Sequence, residues 1–162
     1  ARLADGELVL LADQDRSRWD TADIDEAKPL VEASLRGGAG PYALQAAIAA
    51  LHTTATSWER TDWPQIEALY RILRVQLPSA VVALNHAVAM AMAYGPPAGL
   101  ELLDGLEREL AGNHLFHAAR GELLRRCGRI EQARLAFEAA LARVGTEPER
   151  RFLERQLASL ES

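Results

Sequence analysis

The sequence predicts an all-α domain, and three observations carry that reading. Strand patterning is almost absent, the one β-like run being Glu7 to Leu11. From Asp20 onward the apolar residues recur at three and four positions, the period of one helix face. Glycines, prolines and capping residues cut this pattern into stretches of helical length.

The first helix is expected from Thr21 to Leu35, capped by Asp20 and stopped at Gly37-Gly38. Pro29 lies inside it and should bend it or shorten its start, because it lacks the amide and crowds the preceding turn. A second helix opens at Pro41 and runs to about His52. A polar stretch from Thr53 to Thr61 follows. Asp62-Trp63-Pro64-Gln65 is then a start signal. Asp62 accepts from the freed amides, Pro64 fits the first turn and Gln65 reaches back. Ile66, Leu69, Tyr70 and Leu73 make the stripe behind it.

Pro78-Ser79 opens the next helix, with Val81, Leu84, Val88 and Ala91 in line, and Gly95-Pro96-Pro97 stops it. Its partner carries Leu102, Leu103, Leu106 and Leu110. Asn113 caps a helix containing Leu115, Phe116, Ala119 and Leu123, and Gly128 ends it. The following helix carries Ala133, Phe137, Ala140 and Leu141. Thr146-Glu147-Pro148-Glu149 reads as a capping box opening a last helix, apolar at Phe152, Leu153, Leu157 and Leu160. The organisation is therefore an extended anchor segment over 1–20, helical pairs over 21–145 and a capping helix over 146–162.

Composition sets the outer limits. At 162 residues the chain suits one domain, with 49% apolar and 25% charged residues. The formal net charge of −5 argues against nucleic-acid binding by this segment, which needs a surplus of Lys and Arg on one face. A single cysteine, Cys127, permits no internal disulfide. No apolar run reaches the length of a membrane span, and no signal peptide is visible. The chain opens at Ala1 rather than Met, so a fragment of a longer protein is expected, with the cytoplasm as its location.

Helix starts recur every ~32–38 residues, which brackets the 34 of the tetratricopeptide repeat. Gly121 to Leu141, GELLRRCGRIEQARLAFEAAL, resembles that consensus closely. Gly121 stands where the two helices of a pair cross and only a tiny side chain fits. Gly128 ends the first helix, Ala133 and Ala140 are small contact positions, and Phe137 is the aromatic plug. In the preceding unit Tyr70 takes the aromatic role, Pro78 the terminal proline and Gly95 the turn glycine. Val88 stands there where Gly or Ala is usual, and the turn at Pro96-Pro97 is short. The resemblance implies a right-handed superhelix of about seven antiparallel helices.

Longer strings resemble one family more specifically. They are DGELVLLADQDRSRWD (Asp5 to Asp20), GPYALQAAIAALH (Gly40 to His52), TDWPQIEALYRIL (Thr61 to Leu73), LNHAVAMAMAYGPPAGLELLD (Leu84 to Asp104), HAARGELLRRCGR (His117 to Arg129) and ERRFLERQL (Glu149 to Leu157). In this order they look like the C-terminal extension of bacterial extracytoplasmic-function sigma factors with a tetratricopeptide-type tail. The resemblance implies a non-enzymatic regulatory domain, without cofactor, whose partners are RNA polymerase core, its own sigma regions or a peptide. Sigma regions 2 and 4, which bind the promoter, are absent from this chain. His86 stands where Arg is familiar in the family, and Thr146 to Glu149 where an Asn-containing turn is. A competing reading from the repeat alone is a free-standing adaptor that binds a peptide of an unrelated complex.

Three candidate sites follow. Tetratricopeptide geometry would put Asn85, Ala89 and Met92 of one inner helix and Glu122, Arg125 and Arg126 of the next on a concave groove. Asn85 there can grip a peptide backbone with donor and acceptor. Gln14, Asp15, Arg16 and Trp19 form a polar cluster that either anchors the N-terminal segment on the helices, the favoured role, or joins the sigma regions. Arg150, Arg151 and Phe152 make a basic and apolar docking patch on the last helix. His114 and His117, three apart, are read as a capping and a packed histidine, since a zinc site needs three or four converging ligands.

Overall fold

A computed structural model describes residues 2–4, 7–9, 24–36, 38–55 and 57–161. Helices dominate them. Strands β1 (Arg2–Ala4) and β2 (Glu7–Val9) pair antiparallel, with Leu3 opposite Leu8. They are followed by α1 (Ile24–Leu35), α2 (Pro41–Thr54), α3 (Trp63–Gln76), α4 (Ala80–Tyr94) and α5 (Pro96–Asp104). Then come α6 (Glu107–Leu110), α7 (His114–Arg126), α8 (Ile130–Leu141) and α9 (Glu147–Ser159). β2 lies beside α9, so the N-terminal ribbon sits against the last helix.

The described residues thus hold nine helices rather than about seven. The caps and breakers themselves delimit eight stretches, and one of these splits. The helix expected to carry Leu102 to Leu110 breaks at Gly105-Leu106 into α5 and α6. Leu103, Leu106 and Leu110 are all buried across the break, on the one side that their spacing of three and four residues defines. α1 contains Pro29, as expected.

The predicted caps form as chemistry dictates. The Asp62 carboxylate accepts from the Gln65 amide, and Ser79 Oγ from that of Val82. Asn113 Oδ1 accepts from the Leu115 amide at 2.9 Å. At the end of α7, Gly128 takes φ +72°, its amide donates to the Arg125 carbonyl and the Arg129 amide to that of Leu124. These two bonds form the Schellman closure that glycine permits. Gly95, at φ +102°, is both the last cap of α4 and the first of α5. Thr146 departs from the capping box: its hydroxyl meets the Glu149 carboxylate, not a backbone amide.

Two apolar cores result. The first gathers Val31, Leu44, Ile48, Trp63, Ile66, Leu69 and Leu73 from α1 to α3. The second gathers Leu100, Leu103, Phe116, Leu123, Phe137, Ala140 and Leu153 from α5 to α9. α4 belongs to both, turning Val82 and Ala89 to the first core and Ala83, Leu84, Ala87 and Ala91 to the second. Its apolar surface on every side fits a helix buried between neighbours.

Glycine allows the closest approaches in the second core. A Cβ on Gly121 would stand 2.8 Å from the Phe137 ring, as expected where α7 crosses α8. Gly99 is tighter still. A Cβ there would stand 2.6 Å from Ala91 Cβ, 2.7 Å from the Ala87 carbonyl oxygen and 2.8 Å from Leu123 Cδ1. The crossing of α4 and α5 is therefore made by Ala87 and Gly99. Val88, expected at that place, is half-exposed.

Candidate functional site

α4 and α7 are neighbours and run parallel. Ala80, at the start of α4, lines an open depression together with Leu110, Gly112 and Leu115 near the start of α7. At the other end Arg126 Nη1 lies 3.0 Å from Met92 Sδ, two residues 34 apart in sequence. Positions 81, 85, 88 and 92 of α4 follow the spacing of one helix face, as do 115, 119, 122 and 126 of α7. The two stripes keep the same 34-residue offset.

This face brings together the expected groove residues. Asn85, Arg125 and Arg126 are exposed, and Met92 and Glu122 half-buried; Ala89 instead faces the first core. Val81 and Leu115 stand out at the far end, 56% and 43% exposed. Much of the polar capacity is already engaged. Arg125 grips Glu122 through two bonds of 2.9 and 2.8 Å, which raises the Arg125 pKa. Asn85 lies beside the Tyr70 hydroxyl. Burial raises the Tyr70 pKa, and the Asn85 side chain pulls it the other way.

The other two candidates fare differently. Gln14, Asp15, Arg16 and Trp19 lie outside the described residues. On α9, Arg150 and Arg151 are exposed, with Arg151 Nε 3.3 Å from Glu147. Phe152, expected in the docking patch, is not free to dock. Leu153 is 2% exposed and Phe152 packs against the second core, because the last helix must bury its own apolar side. His114 and His117 turn to separate partners. His114 Nε2 lies 3.2 Å from Glu149 on α9, and His117 Nε2 lies 2.7 Å from the Ala111 carbonyl oxygen.

One polar cluster was not foreseen. Glu67 on α3 is 1% exposed. Its carboxylate takes Arg71 Nε at 3.2 Å and Nη2 at 2.7 Å, and lies 2.9 Å from His86 Nε2 on α4. His86 is itself buried, and its Nδ1 has no partner among the described residues. The single usable hint was Glu67 falling beside Ile66 and Leu69 on the inward side of α3. Its geometry is that of a structural pin across the α3–α4 seam.

No known family's sequence profile matches the chain, and no solved structure does. An uncharacterized protein of Rhizobium meliloti (strain 1021) is 42% identical over 158 residues, which is 97% of this chain. The chain spans only 37% of that relative, so most of the relative lies outside the matched stretch.

Proposed function

We propose that this chain is a protein-interaction domain of tetratricopeptide-like helical pairs, serving as the C-terminal regulatory tail of an extracytoplasmic-function sigma factor. The observation that carries the repeat reading is the 34-residue register. It relates Met92 to Arg126, which touch, and the caps Ser79 and Asn113. It also relates the crossing residues Ala87 and Gly121, and the buried pairs Leu103 and Phe137, Leu106 and Ala140, Leu110 and Val144. Equivalent positions bury equivalent side chains, as stacked copies of one supersecondary unit require.

The sigma-factor part rests on the strings from Asp5 to Leu157, and a relative with most of its length elsewhere accommodates it. In this reading the domain works in the cytoplasm without a cofactor or chemistry of its own. It docks on its own sigma regions, on RNA polymerase core or on a peptide through the α4–α7 face. It supports promoter-specific initiation, and promoter contacts are left to other regions. The test is a reporter assay with the full-length protein and with a version lacking this domain, at equal abundance. Output from the cognate promoter should fall when the domain is removed. Undiminished output defeats a required tail, and raised output assigns it an inhibitory role.

A further inference from the structure

We propose that the α4–α7 face receives a protein segment carrying a carboxylate at one end and an apolar side chain at the other. Arg126 takes the carboxylate, and Val81 with Leu115 takes the apolar residue. The proposal rests on the docking reading of this face and names the chemistry of what docks.

The charge at Arg126 has no carboxylate partner among the described residues. Its acceptor among the described residues is the Met92 thioether, a weak one. Of the arginines nearby, Arg125 is held by Glu122, Arg120 by Asp104 and Glu107, and Arg134 by Glu131 and Glu138, while Arg129, past the end of α7, shares with Arg126 the lack of a carboxylate among the described residues. The chain has 23 acidic against 18 basic side chains, yet no carboxylate among the described residues pairs with this cation. A cation at the end of a helix is ordinarily explained by the helix dipole and the last carbonyls. Here three of the last carbonyls take amides, Leu123 from Cys127, Arg125 from Gly128 and Leu124 from Arg129, and the Arg126 guanidinium does not bond to them. The guanidinium points instead onto the α4–α7 face, at Met92.

The apolar end is equally specific. Val81 and Leu115 occupy equivalent positions on parallel helices and are the exposed large apolar residues of this face. Leu115 and Arg126 are separated by about 16 Å along α7 at 1.5 Å per residue. About five residues of extended chain cover that span at ~3.3 Å each. The fitting occupant is thus a segment with Asp or Glu about five positions from a Leu, Ile or Phe. Nucleic acid fits poorly, because phosphates call for a row of free cations and this face offers one beside Glu122.

The experiment probes an array of immobilised random-sequence peptides with the labelled full chain, and with its Arg126→Glu and Val81→Asp variants. Circular dichroism melting first establishes that both variants fold. The wild type should enrich peptides with an acid and an apolar residue at that spacing. Arg126→Glu should weaken them about tenfold or more and select Lys- or Arg-bearing peptides instead. Selection indifferent to acids and to Arg126, yet lost in Val81→Asp, would overturn the partner chemistry while leaving the docking face standing. Selection of no peptide by the wild type would overturn both.

Discussion

The two cores of this molecule are built by opposite means. The second core, from α4 to α9, is apolar throughout, and its helices interlock where a glycine meets a large or rigid neighbour: Gly121 at Phe137, Gly99 at Ala87 and Ala91. The first core, from α1 to α3, and its seam with α4 contain every buried polar residue among those described: Ser34, Thr61, Glu67 and His86. Its long α2–α3 connection is closed by aromatic edges, Trp58 and His52 lying 4.6 and 5.2 Å from Trp63. Close packing specifies a crossing by shape, with little tolerance for added volume. A buried hydrogen-bonded polar pair specifies it by direction, since each partner left alone is penalised. One domain therefore contains a regular half fixed by volume and an irregular half fixed by polar pairing.

The largest expected effect tests the volume argument. Gly121→Leu should push α7 off α8 and cost about 1–3 kcal/mol. Gly99→Ala, a far smaller change, should cost about as much. Its methyl meets the Ala87 backbone carbonyl, which cannot rotate away as the Phe137 ring can. Melting temperatures of both variants check this, and a harmless Gly99→Ala would show that α5 is free to shift. A smaller effect tests the polar half. His86→Leu should cost about 1–2 kcal/mol, because Arg71 still holds Glu67 when His86 is gone. A double-mutant cycle of His86→Leu with Glu67→Leu should show coupling. Additive losses would make the two residues independent.

The smallest effect concerns the end of the regular half. Glu149 has its pKa lowered, chiefly by the Thr146 hydroxyl and further by His114, against the opposing pull of its own burial. A carboxylate with a lowered folded pKa contributes stability above its unfolded value and loses it as pH falls through the folded value. Acidification below the ordinary carboxylate range should therefore loosen the first turn of α9 before the cores respond. Amide exchange across α9 as a function of pH reads this directly, and Thr146→Val should move the loosening to higher pH. Exchange in α9 that tracks the whole domain at every pH would contradict the picture.

The sequence made local features legible. Asp62, Ser79, Asn113 and Gly128 mark helix ends because each satisfies orphan backbone groups within its own turn. Gly121 and Phe137 were readable because the repeat pattern records a tertiary contact in a sequence spacing. Gly99 was not, since its tightness depends on Ala87, Ala91 and Leu123, which come from two other helices. Glu67 resembled one more polar residue on an amphipathic helix until α4 brought His86 over it. At the site the α4 and α7 stripes follow from the repeat, whereas the packing of Phe152 on the second core depends on how α9 closes over it, which no spacing records.

The one-residue corner at Gly95 has an evolutionary consequence. It is shared by two helices and holds a backbone angle open chiefly to glycine, so the α4–α5 connection has no slack. An inserted residue would rotate α5 and withdraw Gly99 from its slot. Chain-length variation among homologues should therefore avoid this corner and accumulate between Ala55 and Asp62, where the path from α2 to α3 is long.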